Sequence, residues 1–128
     1  AMAAAGLFLS GSGINVSNYP AGKYPIRLGG PVAGKFFDPA DWIKAHKALG
    51  YSAAYCPVQP GAPLDLIKAY RREAGKNNII IAEVGAWNNM MDPDENKRKE
   101  NILKNINALR LADEIGAICC VNIRRKGG

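Results

Sequence analysis

The sequence predicts an α/β protein built on a parallel sheet, with elements in the order β-α-β-α-β-α-β. Three observations lead there. Three segments repeat one grammar: a proline-marked helical start, an amphipathic stretch, a glycine, then an apolar run. The apolar runs carry hydrophobic residues at adjacent positions, as strands covered on both faces do. Sequential strands running the same way need helical crossovers between them, which the amphipathic stretches supply. The size suits one core, because 128 residues with 48% hydrophobic and 22% charged make an ordinary single domain, neither disordered nor fibrous.

Residues 1–25 are set aside as an N-terminal extension with the look of a cloning scar, leaving one domain over 26–128. The first strand is expected over Ile26–Val32, ending at Gly29, Gly30 and Pro31. Asp38-Pro39-Ala40-Asp41 then supplies an N-cap, a proline at the first helical position and an acid in the first turn. Trp42, Ile43, His46 and Leu49 recur at helical spacing, Gly50 ends the helix, and Tyr51–Cys56 forms a short strand closed by Pro57. The second unit opens at Ala62-Pro63, runs Leu64, Ile67 and Tyr70 along one stripe to Gly75, and feeds the strand Ile79–Val84. The third opens at Asp92-Pro93-Asp94-Glu95, with Ile102, Ile106, Leu109 and Ile115 as its stripe, Gly116 as its end and Ala117–Ile123 as its strand. Only Arg124–Gly128 follow, so one sheet edge is expected to be bare.

The net charge of +6 raises the question of a nucleic-acid partner. The distribution speaks against it: Arg71-Arg72 and Lys97-Arg98-Lys99 alternate with Glu73, Glu95 and Glu100, as on a solvated helix face. Arg124-Arg125-Lys126 is the exception. No apolar run nears the roughly 20 residues of a membrane span. Cys56, Cys119 and Cys120 lack metal-knuckle or redox spacing and fit a reducing cytoplasm.

In parallel α/β folds ligands bind where the carboxyl ends of the strands meet their loops. Those ends carry Gln59 after the second strand, Glu83, Trp87 and Asn88 at and after the third, and Asn122 and Arg124 at the fourth. Glu83 is the best catalytic candidate, since a carboxylate within Ile-Ile-Ile-Ala-Glu-Val needs a reason to be there. It serves as general base, metal ligand or acceptor for a substrate hydroxyl, or else it pairs with Arg27 or Arg124. Trp87 either stacks on a sugar face or caps the mouth. His46, the only histidine, sits mid-helix and reads as a packing residue, while Asp38 and Asp92 read as helix caps. Gly29-Gly30-Pro31-Val32-Ala33-Gly34-Lys35 lacks the ending of a phosphate loop and reads as a turn with room for a ligand.

Leu28-Gly29-Gly30-Pro31-Val32-Ala33-Gly34-Lys35-Phe36-Phe37-Asp38-Pro39, Ala48-Leu49-Gly50-Tyr51-Ser52-Ala53-Ala54-Tyr55-Cys56-Pro57, Ile81-Ala82-Glu83-Val84-Gly85-Ala86-Trp87 and Leu111-Ala112-Asp113-Glu114-Ile115-Gly116-Ala117 together resemble the sugar phosphate isomerase/epimerase family, the xylose-isomerase-like TIM barrels. The resemblance implies the first half of a (β/α)8 barrel, the alternative being an open four-stranded parallel sheet that closes as a homodimer through its exposed edges. It implies metal-assisted aldose–ketose isomerisation or epimerisation by proton transfer on a small carbohydrate or sugar phosphate. The divalent metal, Mn, Mg, Co or Zn, would be held by strands of the second half, so no ligand is assigned here and the isolated chain is expected to be inactive. Glu83, Trp87, Asn88, Asn122 and Gln59 are the expected substrate-binding residues. The rival is a carbohydrate- or metabolite-binding module without catalysis. Abasic-site endonucleases share the barrel, but their metal sites need several histidines where this chain has only His46.

Overall fold

The structure is a computed structural model that describes residues 26–36 and 38–123. The N-terminal extension over 1–25, the basic cluster Arg124-Arg125-Lys126 and the Arg124 alternative for Glu83 lie outside the described residues. The elements are α1 (Pro39–Ala48), β1 (Ala53–Tyr55), α2 (Leu64–Lys76), β2 (Ile80–Ala86), α3 (Glu95–Ile115) and β3 (Cys119–Asn122).

The sheet is parallel throughout, in the order β1-β2-β3, so among the described residues three strands stand where four were expected. The first expected strand contributes one bridge, Gly29 to Ala53, with the Leu28 carbonyl accepting from Ser52 and Ala53 N–H at 2.9 and 3.0 Å. Local chemistry stops it there. Gly29 and Gly30 have no side chains to pack, Pro31 has no N–H to give the ladder, and a Cβ at Gly29 would lie 2.5 Å from the Ala53 carbonyl oxygen.

The three helices share one layer. α2 and α3 both contact β2 and each other, which two helices on opposite faces of the strand could not do, and α1 packs on α2. Strands and helices therefore advance together in chain order. The other face of the sheet carries no helix among the described residues, against the expectation of strands covered on both sides.

Caps explain where the helices begin and end. Asp38 Oδ1 accepts from Asp41 N–H at 2.9 Å with Pro39 at the start of α1. For α3 the cap is Asp94, which accepts from Lys97 N–H at 3.0 Å. Asp92, read as the cap, instead accepts from the N–H of Asp94 at 3.0 Å and turns the chain one step earlier. Gly116, at φ 74°, takes the left-handed turn that ends α3.

The core is built from Trp42, Ile43, Ala54, Ile67, Tyr70, Ile79, Ile81, Val84, Leu111 and Ile115. His46 joins it: its ring is buried, donates from Nδ1 to the Trp42 carbonyl at 2.8 Å and packs tilted against the Trp42 ring, with centroids 4.5 Å apart and planes at 55°. Leu49 and Leu64, placed on core stripes by spacing, are exposed at helix ends. α3 departs most from expectation. It buries Asn105, Ala108, Leu111, Ala112 and Ile115, and leaves Ile102, Ile106 and Leu109 exposed. No helix among the described residues is long and apolar enough to cross a membrane.

Candidate functional site

A β-bulge sets up the site. Ala54 pairs with Ile81 but Tyr55 pairs with Glu83, so β2 spends one extra residue, Ala82, at this step. Ile79 and Ile81 before it, and Val84 and Ala86 after it, are all buried against the helices. The same step turns Glu83 and Gly85 to the helix-free face. Glu83 there lies between its register partners Tyr55 and Cys119.

A cleft of about 460 Å³ occupies this face at the carboxyl ends of β1 and β2, lined among others by Tyr55, Gln59, Glu83, Gly85 and Trp87. The turn after β1 closes with Ala62 N–H donating to the Gln59 carbonyl at 3.1 Å and Gly61 at φ 93°, which fixes Gln59 at the rim. Trp87 folds back over Gly85 so closely that a Cβ at position 85 would run into the indole. Gly85 is therefore the seat of that ring.

Three of the five expected binding residues, Gln59, Glu83 and Trp87, come together here. Asn88 does not line the cleft: its carbonyl accepts from Asn105 Nδ2 at 3.2 Å, and the next carbonyl, of Asn89, from Asn101 Nδ2 at 2.9 Å, which pins the loop to α3. Asn122 is also absent from it. Glu83 pairs with Cys119 and Ala86 with Asn122, three residues along each strand, so alternation puts that amide on the face opposite the acid. β2 and β3 do run parallel side by side as expected; parity separates the two side chains.

Glu83 is not the partner of Arg27. Arg27 donates to the Asn78 carbonyl and Oδ1 at 2.7 and 2.8 Å, and to the Ser52 carbonyl at 3.3 Å, tying together the amino ends of the strands. Glu83 makes no ion pair among the described residues and is half-buried, so its carboxylate needs no compensating cation. Tyr55, half exposed opposite it, was missed in the sequence; the signal was its place at the end of a strand whose other residues are alanines.

Burial pushes the Cys56 thiol above its ordinary pKa, outweighing the hydrogen bond its Sγ donates to the Val58 carbonyl at 3.3 Å. Cys56 thus enters the cleft wall as a neutral thiol and a poor nucleophile. A second cavity of about 350 Å³ lies behind Tyr55 and Cys56, toward Trp42, His46, Tyr70 and Gly30.

The arrangement offers two aromatic faces, a carboxylate and an amide converging on a small open volume. That set suits a polyol, whose C–H faces rest on rings while its hydroxyls donate to carboxylate oxygens. It does not suit a metal ion: no group of three or more His, Cys, Asp or Glu side chains among the described residues could hold one. Comparison of this chain with protein-family models, with curated proteins and with solved structures finds no match.

Proposed function

We propose that the strand-end cleft binds a small carbohydrate or sugar phosphate, in the manner of the front half of a sugar phosphate isomerase/epimerase barrel. The observation that carries this is the convergence of Tyr55, Trp87, Glu83 and Gln59 on one cleft at the carboxyl ends of parallel strands. The single winding of the helix layer supports the barrel reading, because a doubly wound sheet places helices on both faces. In such a barrel the helix-free face would be the interior and the cleft its mouth.

Glu83 accepts from sugar hydroxyls, Gln59 bridges a neighbouring hydroxyl at the rim, and the Trp87 and Tyr55 rings cover the apolar face of the ring. The role assigned to these residues is binding, and no proton-transfer step is assigned to this chain.

Calorimetry with pentose and hexose phosphates, run with and without Mn²⁺, tests the proposal. Saturable binding that ignores the metal is expected, weakened roughly tenfold by Trp87→Ala and by Glu83→Gln. Absence of binding, or binding that both variants leave intact, refutes the site. Sugar isomerisation by the purified chain would refute the assignment of binding alone.

A further inference from the structure

α3 has two apolar stripes, and the core uses one. Asn105, Ala108, Leu111, Ala112 and Ile115 face inward. At 3.6 residues per turn, Ile102, Ile106 and Leu109 are centred about a third of a turn around the helix from the centre of that set, and they are exposed, as is Leu103 at 61%. A surface helix ordinarily needs a single apolar stripe, so the second asks for a partner.

The stripe itself indicates which partner. Read outward from Ile106, it is nearly complementary to its own reverse: Ile102 lies four residues before and Leu109 three after, and Lys99 and Asp113 lie seven to either side. Lys99, Ile102, Ile106, Leu109 and Asp113 also follow the alternating three- and four-residue spacing of a helix–helix seam. Two copies of α3 laid antiparallel about Ile106 would stack that residue on its counterpart, set Ile102 on the partner's Leu109, and place Lys99 against the partner's Asp113 at both ends. Lys99 already holds Glu95 at 2.7 Å, so each end would become a three-charge cluster with one lysine between two acids.

We infer that a second copy of this chain docks on the Ile102–Ile106–Leu109 stripe of α3, forming a two-fold antiparallel helix pair registered by Lys99 and Asp113. The interface is distinct from the bare edge of β3, and it leaves the cleft of each copy open. An isologous surface of this kind closes at two copies.

Sedimentation equilibrium of the full chain over a wide concentration range reads it directly. A reversible species of twice 13.7 kDa is expected. Ile106→Glu raises its dissociation constant roughly 30-fold or more, since a charge then lies at the centre of the seam. Lys104→Glu, which changes charge on the same helix away from the stripe, leaves it within about threefold. Lys99→Asp and Asp113→Lys each weaken association about tenfold, and the double exchange restores it, which an unregistered contact would not do. Far-UV circular dichroism verifies that each variant keeps its helix. A chain monomeric at every concentration overturns the inference, as does a dimer indifferent to Ile106→Glu or a double exchange that fails to restore association.

Discussion

At the level of single residues, Glu83 shows how a sequence can locate a group correctly and misjudge its surroundings. Strict alternation from Ile79 and Ile81 puts Glu83 on the buried side, where it would need Arg27 or another cation. The extra residue at Ala82 removes that need by turning the acid toward the cleft. Bulges carry little sequence signal, and alanine is silent about which residue of a strand goes unpaired. Asp94 gives a sharper test. The hydrogen bond from Lys97 N–H holds its carboxyl below the ordinary aspartate range against the opposing desolvation, with help from Asn96 N–H and the Lys97 and Arg98 charges. A lowered folded pKa contributes stability that is complete above the unfolded value and is lost as pH falls through the folded one. Helicity in wild type should therefore decline below the usual aspartate range. In Asp94→Asn, which caps without titrating, that component of the acid limb should be missing from a circular dichroism pH titration. The thiols offer another test. Exposed Cys119 should take up iodoacetamide first, while Cys56 and Cys120, both pushed up chiefly by burial, should lag until the pH is raised well beyond neutrality; mass spectrometry of timed samples would show the order.

Among the elements, helix starts and stops were legible because capping is local chemistry. Asp38-Pro39 and Gly116 act where the sequence puts them, and Asp92 misleads by two residues because Asp94 competes for the same role. What a helix faces is less legible. The choice of Ile102, Ile106, Leu109 and Ile115 as one stripe followed the larger side chains of α3, whereas the core accepts small Ala108 and Ala112 beside Leu111, letting the helix lie close to the sheet. Truncation separates the two faces. Leu111→Ala should cost about 2–5 kcal/mol, and Leu103→Ala in dilute protein should stay within about 0.5 kcal/mol, as read by urea unfolding. Equal losses from the two would mean that α3 is rotated from the orientation described.

For the molecule as a whole, the parallel order and the alternation of strand and helix were legible, since they follow from crossovers and periodicity. The one-sided helix layer was not, because an apolar run reads the same whether helices or solvent cover its second face. The site was legible to the extent that strand ends follow from topology; which side chains share a face depends on register, and register dispersed Asn88 and Asn122. Gly85→Ala probes that geometry. The new methyl should evict the indole, shift and broaden the Trp87 emission, and impair sugar binding more than it lowers thermal stability, because the residue sits on the open face. The extra residue in β2 has one more consequence, concerning which length changes the chain can absorb. Excising Ala82 straightens the strand and keeps every remaining side chain on its present side. Excising Val84 brings Gly85 into the interior, expels Ala86 and leaves a hole beneath α3. The first shortened chain should still unfold cooperatively on heating and the second should not, because the strand can lose its extra residue but not one that faces the core.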